Sequence, residues 1–482
     1  MSVITMDQVV DSARGQISHN LATAVKIAIS QASMDWAMSN ADFNNVYGRV
    51  FRELNNRAFA TASAWQQLSD IEDDVFAKDV ICDLTTGLDK ASYTNLADLF
   101  GAQARVDAVV ADGVAMEVIG LSETATTSLI GSEYFLNHAP GIGIALVSTG
   151  GGAGTWQRVD PGGNNLATGE YDLGNSWYNS NSIYSGIAPE TIDGQNMIKI
   201  PRFYVKTGAA PTGSDQDGKT VYWVSQYPLY GYHIHPAFYH NGSEVDQFWW
   251  GAYKAGVSGG KLTSVPGVAC RVSAGQATFE AEAAARNVGG VEGFMLTSYH
   301  QLCAIQRLAL IEMGTPDAQS AIANGHVSGS GQVDTDHSSE LAASWRGLNG
   351  LWGNVTQLMV GWQNDLIDSV QTVRLWDRLG NKTWVNAGAN PNLTAAWRYA
   401  TTLRTDSDTG YDHSDGFLPS ATDATAGNGT LADGYYGQTG LMSYRHGGRW
   451  SDGALAGLFS VAANLAPSNS YSSRGCRLAR VV

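Results

Sequence analysis

The C-terminal segment, residues 447–482, constrains the fold more than any other stretch of the sequence. It is rich in glycine and small polar residues and has almost no regular periodicity. It ends in the apolar run 476–482, which predicts a final strand. A chain that ends in a strand usually has that terminus tied into a sheet. We therefore expect a rigid sheet that displays the preceding loop residues, where binding residues tend to lie.

The composition is typical of a β-rich or loop-rich surface protein. Charged residues make up 15% of the chain, against roughly 25% in an average soluble protein. The net charge of −16 argues against nucleic acid as a partner, because phosphate binding needs concentrated Lys and Arg. No apolar run approaches the roughly 18 to 20 residues of a membrane span. The N-terminus lacks a secretory signal; release by lysis as part of a phage particle would reconcile this absence with a composition typical of extracellular proteins.

The N-terminal half contains two helical patterns. Residues 5–60 carry apolar residues at three- and four-residue spacing, which predicts helices. Either a simple helical hairpin or helices that pack against copies of themselves or a larger assembly would explain them. Asp112, Ser122 and Ser132 are spaced ten apart and begin short degenerate repeats. Such repeats predict small capped helices that must stack, and they resemble the helical repeats of phage tail fibre proteins.

The middle of the chain changes to a strand pattern. Residues 141–160 predict a strand, a glycine turn and a second strand. A phosphate-binding loop is excluded because no Lys-Ser or Lys-Thr pair and no helix follow the glycines. Residues 161–195 are rich in Gly, Asn and Ser and predict a linker or the entry to a new domain.

Residues 196–482 combine short strands with one long helix. MIKIPRFYVKTG and TVYWVSQYP predict strands of a hairpin, and VRLWD and KTWVN predict two more strands. The pattern TSYHQLCAIQRLALIEMG predicts a helix over residues 297–314, with Gly314 at its C-terminal end.

Four motifs in this region resemble those of a known fold. They are HPAF with a following NG and EVD, the helix ending in IEMGT, GLNGLWGNV, and GGRW with a later GCRL. In this order they resemble the C-type-lectin-like fold shared by formylglycine-generating enzymes and by the variable proteins of diversity-generating retroelements. The latter include phage receptor-binding proteins of the tropism-determinant type.

The resemblance implies an α+β protein with three regions. Residues 1–80 would be a helical region for tail attachment and oligomerisation. Residues 81–190 would hold the short repeats, a small β region and the linker. Residues 191–482 would be the lectin-like receptor-binding domain. The implied protein is a homotrimeric phage tail fibre or tail-tip protein of the virion. It would attach to other tail or baseplate proteins and bind a bacterial glycan or outer-membrane protein.

The resemblance also assigns a ligand-facing surface in the last segment of the chain. Trp450 has a second interpretation, as a core residue. The positions that match the family motif are Trp450, Asp452, Ala454, Phe459, Asn464, Ser468, Tyr471 and Ser472. Their plausible neighbours are Tyr435, Tyr436, His446 and Arg449.

One departure from the family argues against catalysis. Formylglycine-generating enzymes carry copper-binding cysteines two and seven residues after the Trp of GGxW, where this chain has Asp452 and Gly457. Without a thiolate pair there is no soft copper site. We therefore expect neither an enzyme nor a cofactor. The alternatives are a structural tail or baseplate component without receptor binding, and a metal-dependent oxidase.

Two further groups have a metal interpretation beside a structural one. His233, His235 and His240 are spaced for one face of a strand and suit a metal, with Glu244 and Asp246 nearby, but the matched motif makes His235 structural. An acidic loop is either a calcium-binding loop or a solvated loop without an ion. Its carboxylates are Asp406, Asp408, Asp412 and Asp415.

The cysteines form no metal-binding or redox motif. No CxxC pair occurs in the sequence, so zinc and thioredoxin-like sites are not indicated. We expect buried free thiols at Cys82, Cys270, Cys303 and Cys476.

Overall fold

The computed structural model describes residues 141–167, 169, 171–226, 232–404 and 411–482. The helices predicted in residues 5–60 and the repeats around residues 112–135 lie outside the described residues, and their assignments stay predictions. Most described residues belong to one compact unit of residues 143–159, 165–224 and 234–482. Across the described part, no helix is long and apolar enough to cross a membrane.

The described residues are mostly β. In chain order the strands are β1 Gly141–Ser148, β2 Thr155–Val159, β3 Ala188–Ile192, β4 Gln195–Pro201, β5 Tyr204–Ala209, β6 Thr220–Ser225, β7 His233–Ile234, β8 Tyr239–His240, β9 Ser243–Glu244, β10 Gln247–Gly251, β11 Gly256–Ser258, β12 Lys261–Thr263, β13 Phe294–Leu296, β14 Thr356–Ile367, β15 Val370–Trp376, β16 Trp384–Ala389, β17 Trp397–Leu403, β18 Pro419–Asp423, β19 Gly434–Gly437, β20 Met442–Gly447, β21 Gly457–Leu465, β22 Arg474–Cys476 and β23 Leu478–Arg480. The helices are α1 Ser176–Ser180, α2 Ser182–Ser185, α3 Gln276–Ala284, α4 Tyr299–Met313, α5 Ala318–Ala321 and α6 Ser338–Ala342, with 3₁₀ turns at Pro236–Phe238, Ala426–Asn428 and Gly453–Leu455.

Three larger sheets organise these strands. The largest runs β16-β15-β14-β20-β21-β19-β17-β18, with β22 parallel to β14. The second runs β13-β23-β10-β4-β3, and the third runs β2-β1-β6-β5-β7. The predicted strands of residues 141–160 are confirmed as the antiparallel pair β1 and β2. Strands β5 and β6 are neighbours, as the hairpin pattern predicts, whereas MIKIP belongs to β4 in another sheet.

Helix α4 confirms the predicted long helix, and all of its residues are buried. The Ser298 side chain accepts from the Gln301 backbone N–H, and the Gln301 side chain accepts from the Ser298 backbone N–H. This capping box satisfies two otherwise unpaired donors. Gly314 follows the helix at φ 74°, a left-handed conformation that glycine adopts easily. Arg158 of β2 donates to two carbonyls of the last turn, each at 2.7 Å.

The short helices α1 and α2 lie within residues 161–195, for which the sequence predicts a linker or the entry to a new domain, and they pack onto α4. Tyr178 and Tyr184 are fully buried, with ring centroids 4.7 Å apart in an edge-to-face arrangement. Their hydroxyls donate to carbonyls of α4 at 3.2 and 3.1 Å. Each tyrosine thus buries an apolar ring and still satisfies its hydroxyl. Two aromatic anchors within a Gly, Asn and Ser-rich stretch therefore dock it onto the core.

The C-terminal run 476–482 contributes to two sheets, where the sequence predicts one strand. β22 pairs with β14, whereas β23 lies between β13 and β10. Arg477 lies between the two strands and is fully buried. Its Nε donates to Gln357 Oε1 at 2.6 Å, and its Nη1 donates to the Gly251 carbonyl at 2.8 Å. The predicted tie of the C-terminus to a sheet is confirmed, and Arg477 links the two sheets at the change of strand.

Candidate functional site

Four side chains from four neighbouring strands form a row across the largest sheet. Trp397 of β17 is paired with Tyr436 of β19, and Tyr436 is paired with Ala462 of β21. Ala462 is paired in turn with Arg445 of β20. Directly paired residues project from the same face of a sheet. The row therefore presents two aromatic rings, a small residue and a guanidinium on one face.

This row forms part of a concave groove of about 400 Å³. Five of the residues assigned from sequence line it: Tyr436, Arg449, Asp452, Asn464 and Tyr471. The groove thus brings together part of the predicted ligand-facing set. Its full lining is Thr356, Trp397, Tyr436, Arg445, Arg449, Asp452, Ala462, Asn464, Leu465, Tyr471 and Ser473.

Three predicted residues are buried on the other face of the same strands. Tyr435 and His446 are both paired with Val461, one position away from the row that lines the groove. Phe459 lies two residues before Val461 and shares its face. Because side chains alternate between the two faces of a sheet, these residues enter the core, where each is less than 5% exposed. The structure therefore corrects the assignment of Tyr435, His446 and Phe459 as ligand-facing.

The other predicted residues lie outside the groove lining. Ala454, Ser468 and Ser472 are exposed on loops. Trp450 is half-buried, and its backbone N–H donates to the Asn354 carbonyl at 2.9 Å. It is neither a core residue nor a lining residue of the groove.

An ion pair forms one part of the groove rim. Arg449 Nε is 3.0 Å from Asp452 Oδ1, and the Arg449 backbone N–H donates to Asp452 Oδ2 at 2.9 Å. The Arg449 side chain is 48% exposed. The Asp452 side chain is 7% exposed, so the Arg449 guanidinium is the more accessible group of the pair.

The aromatic part of the groove is held in place by packing. The rings of Trp397 and Tyr436 meet edge to face, with centroids 5.4 Å apart at 82°. The Tyr436 hydroxyl donates to the Ala395 carbonyl. Tyr471 is 51% exposed, and its carbonyl accepts from the backbone N–H groups of Ser273 and Arg474 at 3.0 and 3.1 Å. Rigid aromatic side chains of this kind offer contact area at little entropic cost.

Arg445 is the buried cation of the groove. It is 6% exposed, and its Nη1 donates to Thr356 Oγ1 at 3.3 Å. Its Nη2 donates to Asn464 Oδ1. Burial, with a smaller contribution from the nearby charge of Arg474, lowers the pKa of Arg445 to about 9. Loss of hydration disfavours the charged form of a buried base.

The two positions that carry copper-binding cysteines in formylglycine-generating enzymes are committed to other contacts. Asp452 is paired with Arg449. At Gly457, an added Cβ would lie 2.1 Å from Asp433 Oδ1, so no side chain has room there. Asp433 is itself buried, which raises the pKa of its carboxyl well above the ordinary value.

The acidic loop and the histidines have structural contacts in the described residues. Asp412 and Asp415 both form ion pairs with Arg378. A calcium ion would therefore compete with the Arg378 guanidinium for these two carboxylates. Asp406 and Asp408 lie outside the described residues, and calcium binding stays a prediction. His235 Nδ1 accepts from the Ala237 N–H at 3.1 Å and caps the turn Pro236–Phe238. Burial lowers the pKa of His235 well below the ordinary value.

The prediction of buried free thiols is confirmed at Cys270, Cys303 and Cys476. Cys82 lies outside the described residues. Burial raises the pKa of Cys270 and of Cys303 to about 12, so both are protonated and unreactive at neutral pH.

Sequence reasoning missed the central residues of the groove. Arg445, Trp397 and Thr356 come from strands that are distant in sequence and meet only through the sheet. A local signal existed for Arg445. In MSYRHG the residues Tyr444 and His446 alternate with Ser443 and Arg445. A period of two indicates a strand with one face toward the core, and it places Arg445 on the opposite face from Tyr444 and His446.

The fold and the groove define a mostly β protein with one concave face that is both aromatic and cationic. No family model and no curated protein matches the chain. Among solved structures, the chain is similar to PvdO from Pseudomonas aeruginosa at 12% identity and a TM-score of 0.30, over 62% of this chain and 99% of that one. It is also similar to the Major Tropism Determinant P3c variant at 15% identity and a TM-score of 0.26, over 61% of this chain and 66% of that one.

Proposed function

We propose that this chain is a phage tail receptor-binding protein whose groove binds a receptor on the bacterial surface. In this proposal residues 191–482 form a C-type-lectin-like domain without catalytic activity or cofactor. The N-terminal region attaches the chain to the tail or baseplate, and the protein is a homotrimer of the virion.

The convergence of residues in the groove carries the proposal. The family motif assigns Asp452, Asn464 and Tyr471 to a ligand face, with Tyr436 and Arg449 as plausible neighbours, and all five line one concavity. Sites of this kind combine aromatic surface with a few polar groups that fix orientation. Tyr436 and Asn464 belong to β19 and β21, which are hydrogen-bonded to their neighbours across the sheet, so these two side chains stand on a rigid support. Arg449, Asp452 and Tyr471 lie outside the strands. Proteins commonly place binding residues in this way.

Gly457 supports a binding role for this chain in preference to an oxidase activity. A thiol at this position would overlap the carboxylate of Asp433. A copper site built from two thiolates would need a different local backbone.

Adsorption of the full-length chain to bacteria tests the proposal. Labelled protein is incubated with a panel of strains, and bound protein is measured by flow cytometry. We expect saturable binding to at least one strain and competition with infection of that strain by the phage that carries the chain. Absence of adsorption to every susceptible strain would leave a structural tail or baseplate role.

Paired variants separate the groove from the rest of the surface. Asn464→Ala and Tyr471→Ala are expected to weaken adsorption about tenfold, the scale of an interface side chain worth about 1.4 kcal/mol. The matched controls are Asn428→Ala and Leu366→Ala, both exposed and outside the groove lining. Equal loss in the controls would mean that the groove is not the binding surface.

A further inference from the structure

The groove contains a buried cation, Arg445, whose charge is only partly offset by the nearby carboxylate of Asp452. Among the described residues Arg445 forms no ion pair, and its Nε has no hydrogen-bond partner. The Nη atoms donate to a threonine hydroxyl and an amide oxygen, both neutral. The carboxylate of Asp452, which also lines the groove, is paired with Arg449. Buried charges in proteins are usually paired, so Arg445 is an exception that calls for a ligand.

A second guanidinium lies beside the first. Arg474 is paired with Thr356, the same residue whose hydroxyl accepts from Arg445. Arg474 is fully buried, and its Nη1 donates to the carbonyls of Ala466 and Asn469 at 3.0 and 2.6 Å. Its Nε and Nη2 have no partner in the described part of the chain. Arg474 does not itself line the groove, but its charge lies close enough to Arg445 to lower the pKa of that guanidinium. The two guanidinium groups thus make this part of the groove electropositive, although the whole chain carries a net charge of −16.

The remaining lining suits a sugar ring. The faces of Trp397 and Tyr436 carry the negative part of an aromatic quadrupole and attract the C–H groups on the apolar face of a pyranose. Asn464 and the pair of Arg449 and Asp452 supply donors and acceptors for hydroxyl groups. A groove of about 400 Å³ accommodates one or two sugar units.

We infer that the groove binds an acidic glycan, with a sugar carboxylate against the guanidinium of Arg445 and a sugar ring against Trp397 and Tyr436. A carboxylate is planar and matches the fork of a guanidinium, which favours two parallel hydrogen bonds. The inference rests on the proposed receptor-binding function and names the chemical class of the receptor.

Calorimetry with a matched pair of saccharides tests the inference. Full-length protein is titrated with a hexuronic acid tetrasaccharide, and with the same tetrasaccharide after reduction of its carboxyl groups to alcohols. We expect the acid to bind at least tenfold more tightly, because only the acid neutralises Arg445. Equal affinities, or no binding of either saccharide, would overturn the inference. Tighter binding of inorganic phosphate than of the monomeric uronic acid would also overturn it, in favour of a phosphorylated glycan.

Variants locate the effect at Arg445. Arg445→Gln is expected to abolish the preference for the acid, and Arg445→Lys to retain part of it, since a lysine keeps the charge but loses the fork. The matched control is Arg202→Gln, a partly exposed arginine that does not line the groove. If Arg445→Gln does not fold, judged by circular dichroism, the comparison of the two saccharides on the unchanged protein still decides the outcome.

Cell adsorption distinguishes failure of the inference from failure of the proposed function. If the chain adsorbs to bacteria, and adsorption is lost after protease treatment but survives periodate oxidation and excess uronic acid saccharide, the receptor is a protein. The acidic-glycan inference then fails while receptor binding stands. If the chain adsorbs to no strain, the proposed function itself fails.

Discussion

Gly457 and Asp433 are in such close contact that a Cβ on Gly457 would lie 2.1 Å from Asp433 Oδ1. The other carboxylate oxygen, Oδ2, accepts from the Phe459 backbone N–H at 2.7 Å. The carboxylate therefore fills the space beside the first residue of β21 and fixes the entry of that strand. Since β21 lies in the middle of the largest sheet, this contact also positions the residues of the groove.

Substitution of Gly457 is expected to destabilise the fold. Gly457→Ala and Gly457→Cys should each lower the free energy of unfolding by about 1–3 kcal/mol, the usual cost of overpacking, measured by urea denaturation. Gly208→Ala is the matched control, because a Cβ there would meet nothing within 4 Å. Unchanged stability of Gly457→Ala and Gly457→Cys would contradict this prediction.

His446 is expected to make stability depend on pH. Its ring is buried and stacked on Trp250 at 6.0 Å. Burial, followed by the charges of Arg477 and Lys254, lowers its pKa well below the ordinary value. The neutral form is therefore favoured by folding. Its contribution to stability is present above the unfolded pKa of about 6.5 and is lost as the pH falls below it, by up to about 1.4 kcal/mol per pH unit.

The variant His446→Phe keeps an aromatic ring against Trp250 and removes the titration. Urea denaturation between about pH 7.5 and pH 5 should show a shallower loss of stability in this variant than in the wild type. His235 and His300 also have a lowered pKa through burial, but they are present in both proteins, so their effect cancels in the difference. Parallel pH profiles would show that His446 is not the titrating group.

The buried pair of Lys254 and Glu340 is expected to be sensitive to removal of one partner. Lys254 Nζ lies 2.9 and 3.0 Å from the carboxylate oxygens and 2.9 Å from the Gly353 carbonyl. Lys254→Met leaves a carboxylate buried without a partner, which should cost about 3–5 kcal/mol of unfolding free energy.

Two comparisons check the cause of that loss. Adding Glu340→Leu to Lys254→Met should recover a large part of the stability, because the double variant removes both charges of this pair. Asp246→Asn, which removes a surface ion pair with Arg202, should change the unfolding free energy by less than about 1 kcal/mol. A loss in the double variant as large as in the single one would mean that packing, rather than charge, explains the effect.

Substitutions on the two faces of β21 are expected to have different effects. Those on the core face should lower stability, and those on the groove face should weaken adsorption. Phe459 is buried against Phe417, with ring centroids 5.2 Å apart, so Phe459→Ala should lower the unfolding free energy by about 3–5 kcal/mol. Asn464 faces the groove, and Asn464→Ala should change stability by about 1 kcal/mol while weakening adsorption. Thermal unfolding and cell binding measured on both variants test this separation. It fails if Asn464→Ala unfolds the protein as readily as Phe459→Ala does.

Local patterns in the sequence were sufficient for elements whose signals lie within the element itself. Helix α4 has its apolar positions, its Ser298 cap and its Gly314 stop within one short stretch, and it was predicted within two residues at each end. The strands β1 and β2 and their glycine turn were equally local.

The groove could be predicted only in part, because its row depends on pairing between distant strands. Trp397 meets Tyr436, and Ala462 meets Arg445, only once the register of the sheet is fixed. A shift of one residue in any strand would move its side chains to the opposite face. That is also why Tyr435 and Tyr436, adjacent in sequence, could not be told apart as core and groove residues.

The alternation along β19, β20 and β21 has a consequence for how such a chain can change over generations. The core is specified by one set of positions, and the chemistry of the concave face is specified by the residues between them. Backbone hydrogen bonds hold the strands together irrespective of the side chains on that face. Mutations confined to the interleaved positions can thus alter the chemistry of the concave face while the architecture that presents them is inherited intact.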